Sequence, residues 1–365
     1  MVTNRLPLMT QWLSRPRKYH FVILVLLVLV LFPAVRFTGS AHIQWIITHS
    51  AIMAMLSLAL HIMYGYAGLF CFGMTGFYAT GAYSFTVAVR ELGLHYSLAL
   101  PFSLVVSAAV ALFFGVALMR LRHWVLGLGT LFFGSVIFLF TKTVATPVLG
   151  GDDGLNVPRL MLFGEPAGSQ FYYYAILAAL TAVFVITHFI GQSRFGRALK
   201  AVRDDEVAAR SMGINVDFYI RVGFMLMGIF AGLAGACYSM WNGWISPGSF
   251  DTHINLMCMV FVAVGGTGFT SGAVIGAFLF TALPDLLAGL REYHVFLSAL
   301  ILYLTIRFMP AGIVGSIRLF WLSRRFSLPV SEKVDAGIGS AIPAAKRRYQ
   351  QLMSSLRKAI GRTSP

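Results

Sequence analysis

The sequence predicts an all-α polytopic membrane protein with about eight to ten spanning helices, some carrying Gly-rich segments that read as either full or broken spans. Three observations predict it. Only 11% of the 365 residues are charged, against about 25% in soluble domains, so the chain cannot coat itself for water. Hydrophobic residues make up 58% and mean hydropathy is +0.78. The apolar residues also fall in blocks of roughly 20, the length that crosses a bilayer as a helix. This composition excludes an ordinary cytosolic enzyme, a disordered chain and a secreted disulfide scaffold. The net charge of +15 does not imply a nucleic-acid partner. Its basic residues lie between and beyond the apolar blocks, where membrane proteins keep cytoplasmic Lys and Arg.

The N-terminal segment 1–20 carries Arg5, Arg15, Arg17 and Lys18 ahead of an apolar run over 21–32. A signal peptide with cleavage near Ser40 and Ala41 has the same shape. The many spans that follow favour an uncleaved first span ending at Pro33 and Arg36. Further apolar blocks lie at 43–64, 68–89, 97–119, 124–146, 171–191, 218–240, 255–268, 272–289 and 294–309, giving a transmembrane domain over 21–316. The charges test the count. With a cytoplasmic N-terminus, Arg120 and Arg122 fall inside. Loop 147–170 then falls outside, with Asp152, Asp153 and Glu165 against Arg159 alone. Loop 192–217 falls inside with Arg194, Arg197, Lys200, Arg203 and Arg210, and so does the basic tail 317–365, which holds ten Lys or Arg. Each segment lands where the positive-inside rule puts it. Both termini are therefore expected in the cytoplasm.

In the block 68–89, Gly68, Gly73, Gly76 and Gly81 recur every three to five residues, with Met74 among them. Such spacing lets helix backbones approach closely. It also suits a broken segment lining a polar path, since non-helical backbone at membrane depth needs protein or a water-filled cavity around it. A second segment holds Gly265, Gly266, Gly268, Gly272 and Gly276. Gly76-Phe77…Gly81-Ala82 and Gly268-Phe269…Gly272-Ala273 echo one another, as interrupted segments of a midplane pathway do. These glycines and Met74 are the candidate translocation path.

The segment 193–217 is polar, long for a connection between spans, and patterned as a helix over 197–212. Lys200 and Asp204 are four apart, as are Glu206 and Arg210, so each pair can meet on one face. Ala198, Leu199, Val202, Ala208, Ala209 and Met212 offer a small apolar face. Gly213 is placed as the residue that stops the helix. A charged run is commonly a solvated face. A short helix that docks into a groove on a soluble partner would carry this same mixture.

These residues carry a resemblance. SRFGRALKAVRDDEVAARSMGIN, from Ser193 to Asn215, is similar to the cytoplasmic loop of the LivM/LivH type of permease subunits of branched-chain amino-acid ABC importers. Gly232-Leu233-Ala234-Gly235-Ala236, Gly65-Tyr66-Ala67-Gly68-Leu69 with Gly81-Ala82-Tyr83, Gly150-Gly151-Asp152-Asp153-Gly154-Leu155 and Phe308-Met309-Pro310-Ala311-Gly312-Ile313-Val314-Gly315 fit the same pattern. The resemblance spans about 40–316 and in motif order is closer to LivM. It implies an import machine with a second homologous permease, two ABC ATPase subunits on the cytoplasmic side and a periplasmic solute-binding protein. It also places the coupling role on Gly196, Ala198, Leu199, Val202, Asp204, Asp205, Glu206, Ala208, Ala209 and Gly213. The chain has no G-x-x-x-x-G-K-[ST] phosphate loop, so another polypeptide must hydrolyse the ATP. Cys71 and Met74 stand where the family often has a small polar residue and a His. Ser135 stands for an acid, His123-Trp124 for Gly-Tyr-Phe, and the usual Pro after the second glycine segment is absent at Gly272-Ala273. These departures fall near the expected pore and leave open whether the solute is a branched-chain amino acid or a related small polar compound such as urea or an amide.

Asp152 and Asp153 read as a Gly-rich turn or as a contact with the binding protein. His49 and His61 lie inside a span and read as packing histidines or as part of the pathway. Lys142 is expected to snorkel, and Asp285 to cap or pack. The three cysteines, Cys71, Cys237 and Cys258, sit in apolar runs without metal-ligand spacing, and no cofactor or metal is expected. No catalytic set is visible, so the chain is not read as an enzyme. A stand-alone secondary transporter or channel is the alternative. It would carry midplane carboxylates, whereas the acids here lie almost entirely in loops. In the tail, 344–360 reads as a basic helix on anionic membrane lipid or as disordered.

Overall fold

The computed structural model describes residues 41–118, 123–144, 149–162, 165–286 and 312–316, with Tyr303 and Arg307. The expected first span, the tail and, apart from Tyr303 and Arg307, the expected last span lie outside the described residues. The described chain is helical apart from short strands. Helix α1 (Ala41–Leu60) continues as a π-helix, His61–Tyr66. Then come α2 (Met74–Arg90), α3 (Tyr96–Leu118) and α4 (His123–Leu139), which ends in a second π-helical stretch, Phe140–Val144. After a loop that carries short strands come α5 (Ser169–Gln192), α6 (Arg194–Asp204), α7 (Glu206–Ser211), α8 (Val216–Asn242), α9 (His253–Gly265) and α10 (Thr270–Leu286). Among the described residues, six helical segments are long and apolar enough to cross a membrane, and Thr270–Pro284 is a shorter apolar helix. The chain is a multi-pass α-helical membrane protein.

Burial separates the centre from the rim. In the most apolar stretch of α1, 83% of the residues are buried by protein, against 28% for α3 and 33% for α4. Helix α1 is apolar on every side, which fits a helix wrapped by others. Helices α3 and α4 instead show Val105, Phe113, Val116, Val125, Leu128, Phe132 and Val136 on the outside. Lipid covers such a surface without penalty, while in water it would be an aggregation site. Between these layers, Phe133 packs on Phe77 and Phe114 with ring centroids 4.7 and 4.1 Å apart.

The block expected at 68–89 is helical only from Met74. Residues 67–73 are non-helical and leave helix α2 to begin with its N–H groups inside the protein. Those donors must be satisfied where water is absent. The Thr75 N–H in the first turn donates to Asn255 Oδ1 at 2.9 Å, and in the non-helical segment just before the helix the Phe72 N–H donates to Thr130 Oγ1 at 2.9 Å. Asn255 Nδ2 returns a bond to Thr75 Oγ1 at 3.0 Å. At the end of the bundle away from α6 and α7, Leu155–Asn156 (β1) pairs antiparallel with Trp244–Ile245 (β4), and Met161–Leu162 (β2) with Glu165–Pro166 (β3).

Candidate functional site

The basic segment folds as two helices where the sequence pattern suggested one over 197–212. Ser193 caps α6, its Oγ accepting from the Gly196 N–H at 3.2 Å. Gly196 therefore lies inside the first turn of α6. Asp205 breaks the helix with an extended backbone (φ −160°, ψ 113°) and caps α7 through bonds from the Val207 and Ala208 N–H groups. Asp is among the best N-caps, and here it turns the chain as well. Gly213 ends α7 as expected. Its φ of +81° suits glycine, and the Ile214 N–H bonds back to Ala209 O at 3.1 Å, satisfying a last-turn carbonyl.

Gly196, Ala198, Leu199, Val202 and Ala209, among the residues given the coupling role, are buried. Gly196 lies against the backbone of Ile190 and Gly191. Val202 and Ala209 pack with Val216 at the start of α8. These residues seat the segment on its own bundle. Outward stand Asp204, Asp205, Ala208 and Gly213, with Val207 75% and Met212 83% exposed. Glu206 is half-buried. Arg210 pairs with Glu206 at 3.0 Å and Asp217 at 2.7 Å, so the second expected i,i+4 pair is made.

The other expected pair is replaced. Lys200 Nζ donates to Gly191 O at 2.7 Å and lies 5.1 Å from the centroid of the Tyr66 ring. Arg203 Nη1 donates to Gly65 O at 2.7 Å, and Arg197 Nη1 to Gln192 O at 2.9 Å. These cations bond to carbonyls in the final turns of α5 and of the π-helix that ends α1. Helix C-termini attract positive charge there and present unsatisfied acceptors. Burial, together with the neighbouring Arg197 and Arg203, holds the Lys200 ammonium below its usual pKa.

The glycines are mostly backbone contacts. A Cβ at Gly81 would collide with the Gly232 backbone, and one at Gly265 with Gly272. Gly73 faces Thr130, Gly76 faces the Phe133 ring, and Gly266 (φ +114°) faces Gly312. Met74 is fully buried. Gly68 (φ +70°) lies against Arg203, and Gly268 is exposed at the α9–α10 turn with open space around it. At the other end of the bundle, Asp152 and Asp153 are exposed, and Asp152 pairs with Lys142 at 3.1 Å, so this lysine has an ionic partner besides any snorkelling. His49, Trp45 and Trp241 form a cluster of three mutually contacting rings, and His61 meets Tyr66 edge-on at 4.7 Å. The Asp285 side chain lies outside the described residues. Among the described residues no group of three or more His, Cys, Asp or Glu is placed to hold a metal ion.

Comparison with known proteins assigns this architecture. Residues 43–306 match the family described as the permease component of branched-chain amino acid transport systems. The chain belongs to this family. LivM, the high-affinity branched-chain amino acid transport system permease protein of Salmonella typhimurium, is 28% identical over 331 residues, covering 84% of this chain and 77% of LivM. BraD of Pseudomonas aeruginosa, a permease protein of the same description, is 24% identical and covers 74% of this chain and 93% of BraD. LsrC of Yersinia enterocolitica, an autoinducer 2 import system permease, is 26% identical over 52% of this chain and 59% of LsrC.

Some features of this permease component escaped the sequence reading. The inward bonds of Lys200 and Arg203, the exposure of Val207 and the Thr75–Asn255 pair all depend on long-range placement. Asp205 alone had a local signal, as a good N-cap residue followed at once by Glu206 and small residues.

Proposed function

We propose that this permease component forms the membrane pore of an ATP-driven importer together with a second, homologous permease subunit. Two ABC ATPase subunits sit on the cytoplasmic side, where both termini lie, and one of them docks on α6 and α7. A solute-binding protein delivers to the opposite, periplasmic end, where Asp152 and Asp153 are exposed. The solute is a branched-chain amino acid, in keeping with LivM and BraD. LsrC, a permease of an autoinducer 2 import system, leaves related small polar solutes as competitors in the test.

The observation that carries this reading is α7. It is a capped turn of helix, seated from below by Val202, Ala209 and Val216, that exposes Val207 and Met212 amid charged residues. Exposed apolar residues on a rigid, charged support suit a protein partner's groove. The test is uptake of labelled leucine, and in parallel of urea, by the complex reconstituted with its ATPases and binding protein. The expected result is leucine uptake that requires ATP and the binding protein. Uptake driven by an ion gradient without the ATPases would establish the stand-alone transporter instead.

A further inference from the structure

Beneath α6, one side chain joins four elements. Tyr66, at the end of the π-helix, is buried. Its hydroxyl donates to Thr187 O in α5 at 3.0 Å and meets Thr270 Oγ1, the first residue of α10, at 2.8 Å. With its single proton used on Thr187, the tyrosine oxygen accepts from the Thr270 hydroxyl. Its ring lies under the Lys200 ammonium of α6, within cation–π range. Gly191 leaves the room: a Cβ there would collide with the Tyr66 hydroxyl. One residue before Tyr66, Gly65 O takes the Arg203 bond. The π-helical stretch that presents Tyr66 is itself a departure from α geometry, of a kind frequent at functional sites.

The far side of this junction is also tightly built. Thr270 opens α10, which packs against α9 so closely that Gly265 and Gly272 are in backbone contact. A displacement of Thr270 must therefore carry the α9–α10 hairpin with it. Packed elements of this sort shift between discrete arrangements and do not deform continuously.

We propose that Tyr66 is a positioning residue that clasps α6 to the α9–α10 hairpin, so that the basic segment and the hairpin move as one rigid body during transport. The Tyr66–Thr270 bond supplies the link, and Lys200 and Arg203 fasten α6 to the same π-helix. This rests on the reading of α6 and α7 as the ATPase-docking segment, but the clasp can be measured apart from it.

The experiment uses the full chain in the reconstituted complex, with spin labels at Arg194→Cys at the start of α6 and Gly268→Cys, both exposed positions away from the exposed face of α7; the native cysteines are buried. In the otherwise unmodified chain, the label–label distance is expected to hold the same mean in nucleotide-free and ATP-bound states. In Tyr66→Phe and Thr270→Val it is expected to broaden. In the unlabelled variants, leucine uptake per ATP hydrolysed should fall about five-fold or more, the lower end of typical coupling between sites. Assembly and basal ATPase activity should persist. Thr270→Ser, which keeps the hydroxyl, should restore both readouts.

A nucleotide-dependent shift of the mean distance in the otherwise unmodified chain overturns the rigid-body proposal. So does normal uptake per ATP in both Tyr66→Phe and Thr270→Val. If the chain does not assemble with ATPases, the docking reading fails. The distance distributions in nanodiscs then still decide the clasp, because an unbroadened Tyr66→Phe distribution overturns it and a broadened one supports it.

Discussion

Replacing Gly81 by alanine should loosen the contact between α2 and α8. An alanine Cβ at this position would lie 2.5 Å from the Gly232 carbonyl carbon and closer still to its oxygen and Cα. Ordinary carbon contacts lie at about 3.5–4.0 Å, so the two helices would have to part by about 1 Å. The neighbour is backbone, not the end of a side chain that can swing away. One turn on, Gly235 meets the Tyr78 carbonyl and the Ala82 nitrogen in the same tight manner, so the helices cannot slide to relieve the strain. A gap of that size forfeits a quarter to a half of each contact's attraction around it, and overpacking of this kind costs about 1–3 kcal/mol. The assay is reversible unfolding of the purified permease in mixed micelles, with Gly268→Ala as the control. Gly268 has open space around it, so its alanine variant should stay within about 0.5 kcal/mol of the parent. Equal stability of Gly81→Ala and Gly268→Ala would refute the reasoning.

Asn255→Leu should destabilise the bundle by about 1–3 kcal/mol in the same unfolding assay, because it leaves the Thr75 N–H buried without its acceptor; Thr75→Val, which keeps that N–H bond, should cost less. Asp205→Ala should lower the stability of the basic segment by about 0.5–2 kcal/mol through the lost cap, read as faster amide hydrogen exchange at Val207 and Ala208 with exchange in α8 unchanged.

Much of the helical framework is legible in the sequence because membrane crossing depends on length and hydropathy. The blocks at 43–64, 97–119, 124–146, 171–191 and 218–240 fall within a few residues of α1 with its π-helix, α3, α4, α5 and α8. The Gly-rich block is different. Its hydropathy continues through 68–73, but the helix waits until Met74, with the backbone donors of Phe72 just before it and of Thr75 in its first turn met by Thr130 and Asn255. No local pattern shows that those side chains arrive there. In the basic segment, the spacing of Glu206 and Arg210 gave a true pair, while that of Lys200 and Asp204 did not. A surface pair worth about 0.2–0.5 kcal/mol yields where helix C-terminal carbonyls lie within reach. Lys200 was therefore expected on a solvated face, although its Nζ bonds to Gly191 O. The buried residues of α6 show the same limit. Small residues at helical spacing mark an interface but not whose, and Ala198, Leu199 and Val202 face their own bundle.

The most direct test of the central proposal, that α6 and α7 receive the ATPase subunits, is cross-linking from single introduced cysteines in the assembled complex. Val207→Cys on the exposed turn of α7 is compared with Asp153→Cys on the loop at the other end. The expected result is an adduct between Val207→Cys and an ATPase subunit and none from Asp153→Cys. An ATPase adduct from Asp153→Cys, with none from Val207→Cys, would contradict both the docking site and the orientation of the chain in the membrane.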